Sequence, residues 1–418
     1  MKKFNIVHLH WGFPPIIGGV ETHLTILLPA IAKMGHKVSL LTGAVEGMPV
    51  SYKYKGVNIV RTPIMDLNWL YKRGINGLED EINKVFSRFL KGYEPDIIHA
   101  HNMHYFSLVH AQILENYAKK MKVPLILTAH NVWDDTLYLK ILRGIDWTHI
   151  IAVSHYIKKE IIGVGYDDKK ITVIHHGIDA QKYNPMVEYK SIYKKYPQLK
   201  NRKVIFHPAR MGLAKGCDVS VKAFSIIKNK IPDAFLILAG SKNIIDWGET
   251  QQKDIAYIVD LVKFFNLGDD ILIDMFKLED MPKLYGASSV CIYPSTSGEP
   301  FGLTMLEAMA SAKPMIVTNS GGMPEIIRDG INGYVVPVKD FEALASRIIQ
   351  LLNDDKLRDR FGHTGREMIE QNFTTRIVTR NTLNVYNNMY CKRYPRAESE
   401  WITKDTWDVN AELKHVIK

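Results

Sequence analysis

The chain has 418 residues, of which 46% are hydrophobic and 23% charged, and its formal net charge is +10 at pH 7. At about 150 residues per domain this length predicts two or three domains, so a single small binding module is excluded. The composition excludes a disordered or collagen-like chain, and no apolar run reaches the roughly 20 residues of a membrane-spanning helix. The three cysteines have no Cys-x-x-Cys spacing for zinc or redox chemistry.

The N-terminus does not resemble an export signal. Met1-Lys2-Lys3 precedes an apolar run, but His8 and His10 interrupt that run within a few residues. With three widely separated cysteines, a reducing cytoplasm is expected. The excess of basic residues indicates either an anionic partner or plain solubility, and composition does not distinguish these two explanations.

Short β-branched runs alternate with segments of helical period from the start of the chain. This alternation predicts a parallel sheet that is covered by helices on both faces. A helix is expected from about residue 20 to residue 34, after the first strand. The strands predicted for this first doubly wound domain are 4–10, 37–41, 57–61, 96–100, 124–128, 149–153 and 171–174.

The periodicity fails between about residues 179 and 203. Two X-Pro steps and six basic residues predict an exposed connector there, which places the domain boundary. A second alternation follows, and the last part of the chain has a helical pattern. Ligands of open parallel sheets bind at the carboxyl ends of the strands, so motifs that follow strands matter most. The strands predicted for the second domain are 204–208, 234–240, 271–273, 289–293, 315–317 and 333–336.

Paired glycines follow the first predicted strand, in Pro14-Pro-Ile-Ile-Gly-Gly-Val-Glu21. Gly18 and Gly19 let the backbone approach a ligand closely, and the following helix start directs N–H groups at an anion. A tight turn without a ligand explains the same pattern equally well. The spacing matches neither a dinucleotide fingerprint nor a nucleotide P-loop.

Two cations, Arg210 and Lys215, lie on a glycine-containing loop after the first strand of the second domain. They can clamp a diphosphate, because a guanidinium forms a planar fork and an ammonium acts as a point charge. The alternative is a solvated basic loop.

The longest motif is residues 293–310, where a strand leads into a Pro/Ser/Gly loop that carries Glu299. A helix is predicted to start near Phe301 and to carry Glu307 in its second turn. The amides of its first residues would face phosphate or sugar oxygens. The alternative is that Glu307 is a surface residue and that Glu299 only favours the helix dipole.

Histidines cluster at the ends of predicted strands. His130, in Thr-Ala-His-Asn, is a catalytic candidate at the cleft edge, although a lone histidine is more often a hydrogen-bonded structural residue. His99-Ala-His101-Asn-Met-His104 and His8-Leu-His10 raise the question of a metal site, because residues i and i+2 of a strand share a face. No cysteine accompanies them, so hydrogen bonding across the cleft is favoured over a metal.

In this order, over two α/β domains, the motifs resemble the retaining glycosyltransferases of the GT-B architecture known as family 4, or glycosyl transferases group 1. Glu299-x7-Glu307 matches the E-x7-E signature of that family, and residues 18–21 are similar to its N-terminal glycine loop. The resemblance covers about residues 4 to 390. It departs at Ala312, where the family often has glycine, and at Met275-Phe276-Lys277. Further similar segments are 96–101, 176–179, 320–325 and 332–340.

The resemblance implies an α/β fold of two Rossmann-like doubly wound domains that face a cleft. It implies an acceptor-side domain at residues 1–185 and a nucleotide-sugar domain at 200–375. It also implies a helical tail at 376–418 that packs back on the N-terminal domain.

The family roles carry over to matching positions of this chain. The resemblance implies that Arg210 and Lys215 hold the donor diphosphate and that Glu299 and His130 contact the donor sugar as catalytic residues. It implies a ribose contact for Glu307. No metal or other cofactor is expected, because the two cations neutralise the leaving diphosphate. The other donor contacts that it implies are Gly18, Gly19, Lys277, Phe301, Gly302 and Leu303.

The implied activity is transfer of a sugar from a nucleotide-diphosphate sugar to a hydroxyl acceptor, with retention of the anomeric configuration. UDP-sugars are favoured as donors over GDP- or ADP-sugars, and the expected setting is synthesis of a glycan, glycolipid or cell-surface polysaccharide. The alternative is a sugar-nucleotide epimerase of the same architecture. Nucleic acid is not an expected partner, because no recognisable nucleic-acid motif accompanies the basic charge.

The acceptor is not identified by sequence. A segment that we call the basic aromatic patch, residues 67–73 with Lys84, Arg88 and Lys91, mixes aromatic and basic side chains. This patch fits docking on the inner face of an anionic membrane, where a lipid-linked acceptor would be reached. A solvated basic surface fits the same residues equally well.

Overall fold

The structure is a computed structural model that describes residues 2–132, 136–240 and 248–393. In these ranges the first sheet has eight strands in the order β3-β4-β2-β1-β5-β6-β7-β8. Its strands are β1 (Asn5–Leu9), β2 (Lys37–Gly43), β3 (Ser51–Tyr54), β4 (Val57–Thr62), β5 (Ile97–His101), β6 (Leu125–Ala129), β7 (His149–Ala152) and β8 (Ile171–Val173).

The second sheet has six strands within the described residues, in the order β11-β10-β9-β12-β13-β14, and every neighbouring pair is parallel. Its strands are β9 (Lys203–His207), β10 (Ala234–Gly240), β11 (Ile271–Met275), β12 (Val290–Tyr293), β13 (Met315–Thr318) and β14 (Gly333–Val336). The predicted α/β class with two sheets is confirmed.

Helices cover the sheets, and none of those in the described ranges is long and apolar enough to cross a bilayer. They are α1 (Gly19–Lys33), α2 (Leu67–Arg73), α3 (Glu79–Tyr93), α4 (Leu108–Met121), α5 (Thr136–Gly144), α6 (His155–Gly163), α7 (Ile192–Lys195), α8 (Cys217–Lys230), α9 (Gly248–Phe264), α10 (Met281–Ala287), α11 (Leu303–Ala310), α12 (Met323–Ile326), α13 (Phe341–Asn353), α14 (Asp355–Met368) and α15 (Thr375–Arg393).

The central strands explain where the cores lie. All residues of β5, β6 and β7 are buried, as expected for parallel strands that are covered on both faces. Burial on both faces forces the polar side chains of these strands to find partners inside the protein. Because β1 and β5 are neighbours with His8 opposite His99, the sheet register itself brings histidines together.

The connector at 179–203 is exposed at many positions, as predicted, but not along its whole length. It contains α7, and Ile192, Tyr196 and Leu199 are buried. The Tyr196 hydroxyl donates to Asp274 Oδ2 of β11 at 2.8 Å, so the segment packs on the second sheet. The spacing i, i+4, i+7 of these three residues is a helical period that the neighbouring prolines and lysines obscured.

The last described helix returns to the first sheet. Helix α15 packs on α1, and the Tyr386 side chain is fully buried with its hydroxyl 2.6 Å from Nδ1 of His99 on β5. The described part of the predicted tail is therefore part of the first domain's core. Residues 394–418 of that predicted tail lie outside the described residues.

Candidate active site

The predicted site residues follow strands of both sheets. The glycine loop comes after β1, His130 after β6 and Glu299 after β12. The two halves meet where Glu325 of α12 accepts hydrogen bonds from the N–H groups of His155 and Tyr156, at 2.8 and 2.7 Å, at the start of α6. The carboxyl ends of the strands in both sheets therefore carry the predicted site residues, and the two domains contact each other at α6 and α12.

Glu299 forms a hydrogen-bonded ion pair with Lys215. Lys215 Nζ donates to Glu299 Oε2 at 2.7 Å, and the Tyr293 hydroxyl donates to the same oxygen at 2.6 Å. Burial alone would raise the pKa of Glu299, but the charge of Lys215 and these hydrogen bonds outweigh burial and lower that pKa. The pKa of Lys215 is raised, because its two partners likewise outweigh its burial. Both groups are therefore ionised at neutral pH.

Glycines bring the surrounding loops into contact with this pair. Gly216 has φ 75°, and a Cβ there would lie 1.8 Å from the Pro294 carbonyl oxygen. Gly321 has φ 59°, and its Cβ would lie 2.1 Å from the Glu299 carbonyl oxygen. The N–H of Gly322 donates to that same oxygen at 2.8 Å. The segment similar to the family at 320–325 thus supports the backbone of Glu299.

Glu307 is buried in the second turn of α11, so it is not the surface residue of the alternative interpretation. The Tyr285 hydroxyl donates to Glu307 Oε2 at 2.7 Å. Burial raises the pKa of Glu307, although hydrogen bonds from Tyr285 and Tyr183 oppose that rise. The carboxyl group is thus held by tyrosines, and its ribose contact stays a prediction.

Helix α11 begins at Leu303, slightly later than the predicted start near Phe301. Gly302 precedes it with φ 84°, a left-handed conformation that glycine adopts without steric cost. The Phe301 side chain is buried and packs edge-on against His176, which follows β8, with ring centroids 5.0 Å apart. Phe301 therefore fixes the start of α11 against the first domain.

The last residue of the glycine motif, Glu21, lies under the loop. Its Oε1 is 3.0 Å from His10 Nε2, and both side chains are buried. A Cβ at Gly12 or Gly18 would lie 2.3 or 2.2 Å from this carboxylate, so a side chain at either position would displace the carboxylate from His10. His10 Nδ1 faces the carbonyl oxygen of His101 at 3.2 Å. Both ring nitrogens of His10 therefore face oxygen acceptors, and the side chain links the Glu21 carboxylate to the end of β5.

Arg210 and Gly19 are exposed beside these buried groups. Burial raises the pKa values of Glu21 and Glu299, but their hydrogen-bonded partners outweigh burial and lower both values. The positive charge of Arg210 adds a smaller lowering to each pKa. The guanidinium therefore lies within electrostatic range of both loops. Within the described part of the chain no atom approaches a Gly19 Cβ position within 4 Å, so the backbone is open there.

His130 lies directly after β6, but neighbouring histidines occupy both of its ring nitrogens. Nε2 is 3.0 Å from His101 Nδ1, and Nδ1 is 3.3 Å from His176 Nε2. The backbone N–H of His130 donates to the Asn102 side chain at 2.8 Å. The strand-end histidines do form hydrogen bonds, but these bonds join residues of the first domain, and the predicted bonding across the cleft stays a prediction.

The metal question concerns His8, His99 and His101. These buried residues offer ligand nitrogens within 4.8 Å of one another. They form the group among the described residues that could hold a metal ion. His99 already bonds the Tyr386 hydroxyl through Nδ1 and the Thr128 hydroxyl through Nε2, each at 2.6 Å. His8 Nδ1 lies 3.0 Å from His101 Nε2. Hydrogen bonds therefore account for most of these nitrogens without an ion.

Lys277 lies apart from the other predicted donor residues. It follows β11 at the edge of the second sheet, and its side chain is 73% exposed, 3.8 Å from Glu279. Among the contacts of the described residues, none joins Lys277 to Arg210 or Lys215. Its donor contact stays a prediction.

Three residues near the site are not predicted from the sequence as functional: Asn102, Tyr293 and Glu325. Asn102 has φ 51°, and an asparagine directly after a strand is a recognisable signal for such a left-handed residue. Glu325 lies in the segment 320–325, which resembles the family but has no predicted role. Tyr293 ends an apolar strand, and the apolar pattern of the strand does not predict a hydrogen-bond partner for its hydroxyl.

Two family models match consecutive parts of the chain. The model described as Glycosyltransferase Family 4 matches residues 17–182, and the model described as Glycosyl transferases group 1 matches residues 189–368.

Relatives and solved structures agree with these matches. The chain is 27% identical over 387 residues to N-acetyl-alpha-D-glucosaminyl L-malate synthase of Bacillus anthracis, covering 89% of this chain and 94% of the relative. It is 30% identical over 249 residues to the capsular polysaccharide biosynthesis glycosyltransferase CapM of Staphylococcus aureus, covering 57% and 61%. The crystal structure of Anabaena HepE with UDP and glucose has a TM-score of 0.73 and 19% identity, covering 92% and 99%.

Proposed function

This chain is a glycosyltransferase of the GT-B architecture, and on that premise we propose that it transfers a sugar from a nucleotide-diphosphate sugar to a hydroxyl acceptor with retention of the anomeric configuration. We favour a UDP-sugar, because UDP is the nucleotide bound to the structurally similar HepE, with GDP- and ADP-sugars as alternatives. The product enters a glycan, glycolipid or cell-surface polysaccharide, in keeping with the relative CapM.

One observation carries this proposal: the hydrogen-bonded pair of Lys215 and Glu299, with Arg210 within electrostatic range. A diphosphate needs cations, and a sugar hydroxyl needs an ionised acceptor held in place. Here both groups are ionised, adjacent and largely buried, and the first domain contributes the exposed backbone of Gly19.

The proposed mechanism is attack on the face from which the diphosphate leaves. The acceptor hydroxyl oxygen forms the new bond to the anomeric carbon while the bond to the phosphate oxygen breaks, and that phosphate oxygen takes the hydroxyl proton. Negative charge grows on the leaving diphosphate, so Arg210 and Lys215 stabilise the transition state more than the ground state. These two cations supply the neutralisation for which a metal would otherwise be needed.

Glu299 is proposed to bind sugar hydroxyls and not to act as a nucleophile. One of its oxygens already accepts hydrogen bonds from Lys215 and Tyr293, and its lowered pKa favours an acceptor over a proton donor. A covalent glycosyl adduct on Glu299 in a trapped reaction would refute this role.

The acceptor-side proposal concerns the basic aromatic patch. On α2 the Leu70 side chain is buried, whereas Tyr71 is 92% exposed beside the exposed Lys72 and Arg73. Exposed aromatic and basic groups together favour peripheral binding to an anionic membrane surface and access to a lipid-linked acceptor. Liposome flotation at physiological salt tests this, and the absence of binding to anionic vesicles would remove the membrane proposal.

The decisive experiment is a panel of sugar nucleotides assayed for nucleoside diphosphate release, with NMR assignment of the anomer formed. We expect release with one donor class, loss of release in Lys215→Ala and Glu299→Ala, and little change in the exposed control Lys263→Ala. An inverted product anomer would refute retention. Conversion of the donor sugar without release of nucleoside diphosphate would instead favour the epimerase alternative.

A further inference from the structure

A continuous row of hydrogen-bonded histidines crosses the first sheet and ends at the cleft. We call it the histidine chain: His8 of β1, His101 at the end of β5, His130 after β6 and His176 after β8. Three contacts link neighbours, each from Nδ1 of one ring to Nε2 of the next, at 3.0, 3.0 and 3.3 Å. All four side chains are buried.

The repeated geometry couples the four rings. Burial lowers the pKa of each of the four, to about 3 for His8, so the rings are neutral at physiological pH. A neutral imidazole has one N–H and one lone pair, and each link needs one of each. Because every link joins Nδ1 to Nε2, a proton on Nδ1 of one ring requires a proton on Nδ1 of all.

The two terminal histidines of the histidine chain determine whether all four rings carry the proton on Nδ1 or all carry it on Nε2. The terminal nitrogens of the row are His8 Nε2 and His176 Nδ1, which are buried and have no hydrogen-bond partner among the described residues. A buried N–H without an acceptor is more costly than an unused lone pair. The Nε2–H state would put the unpaired N–H on His8, which is completely buried in the sheet. The Nδ1–H state puts it on His176, which retains 6% exposure and packs against Phe301, whereas His8 has none.

We propose that the histidine chain adopts the Nδ1–H state throughout, and that His8 and His101 are positioning residues that make His130 Nδ1 a hydrogen-bond donor to the donor sugar. The 3.3 Å link to His176 is the longest of the three, so it is the link that a sugar hydroxyl replaces. This inference rests on the proposed function only for its ligand, since the tautomer belongs to the free protein.

The test uses the full chain labelled with ¹⁵N-histidine, whose two-bond ¹⁵N–¹H spectra identify tautomers. We expect an Nδ1–H ring for His130 in the wild type and a loss of that single state in His8→Phe, which keeps a ring but cannot donate. His8→Asn restores it, because the carboxamide N–H occupies the place of Nδ1. His99→Asn perturbs the same buried region outside the chain and leaves the His130 signals in place.

The functional readout is kcat/KM for nucleoside diphosphate release. His8→Phe lowers it about tenfold, the value of roughly one hydrogen bond, and His8→Asn recovers it to within about twofold of wild type. An Nε2–H assignment for His130, unchanged His130 signals in His8→Phe, or a stoichiometric metal ion on His8, His99 and His101 would overturn the proposal. If the spectra are as expected but the protein shows no transferase activity, the proposed function is refuted and the tautomer assignment still holds.

Discussion

The ion pair of Lys215 and Glu299 yields a prediction in which stability and ligand affinity move in opposite directions. Glu299→Gln keeps the shape of the side chain and removes its charge. Lys215, whose side chain is only 23% exposed, then lacks its counter-ion in the free protein. We expect the free protein to be less stable and a nucleoside diphosphate to bind more tightly, while kcat for transfer falls because the sugar contact is weakened.

The expected changes in unfolding free energy and in diphosphate affinity follow from the exposure of Lys215 and from Coulomb's law. Removing one partner of a fully buried pair costs about 3–5 kcal/mol, and the remaining exposure of Lys215 reduces this to about 2–3 kcal/mol of unfolding free energy. At an effective dielectric constant of about 20, a unit charge about 8 Å from a phosphate contributes about 2 kcal/mol. After screening, loss of the Glu299 charge therefore strengthens diphosphate binding about tenfold.

Calorimetric titration with the nucleoside diphosphate and denaturant unfolding of the free protein measure the two effects. The matched control is Glu279→Gln, which removes a carboxylate from an exposed pair with Lys277, 76% and 73% exposed, and is expected to change neither quantity appreciably. Weaker diphosphate binding by Glu299→Gln would show that Lys215 is not released toward the phosphates, and this would refute the assigned role of the pair.

Three further predictions concern backbone strain and the contact between the domains. Ala312 has φ 52°, so Ala312→Gly stabilises the protein by about 1 kcal/mol in denaturant unfolding, whereas Ala308→Gly inside α11 destabilises it by at least about as much; equal signs would contradict this. Gly321→Ala forces its Cβ against the Glu299 carbonyl oxygen and lowers transfer activity at least about tenfold, whereas wild-type activity would exclude this support. The lowered pKa of Glu325 arises because hydrogen bonds from His175 and the α6 amides outweigh its burial. The stability that it contributes is therefore complete above pH 4.5 and lost as pH falls through the lower folded pKa, so the stability difference from Glu325→Gln shrinks in acid.

The strands and the order of the elements could be predicted because each strand is a short apolar run between segments of a different period. The strand β3 was missed, since its sequence Ser51–Tyr54 is polar and pairs antiparallel with β4 at the sheet edge. Such an edge strand is specified by its neighbour and not by burial of its own side chains. The buried positions of the connector were missed for the opposite reason, because charged residues surround Ile192, Tyr196 and Leu199.

The candidate site was predictable where a motif lies on one loop, as for Arg210 and Lys215. Partners that come from distant parts of the chain were not. Nothing local to His130 indicates that both of its nitrogens bond other histidines, because those bonds depend on the order of β5, β6 and β8 in the sheet. The glycine at position 12 is likewise explained only by the carboxylate of Glu21, which the helix α1 brings beneath it.

The return of α15 to the first sheet has a consequence for synthesis on the ribosome. The hydroxyl of Tyr386 completes the hydrogen bonds of His99, 287 positions earlier in the chain, and α15 covers α1. At about 5–20 residues per second, the roughly 200 residues between β8 and α15 take roughly 10–40 s to emerge. During that interval the N-terminal half of the nascent enzyme exposes apolar surface, so it is the half that we expect a chaperone to hold.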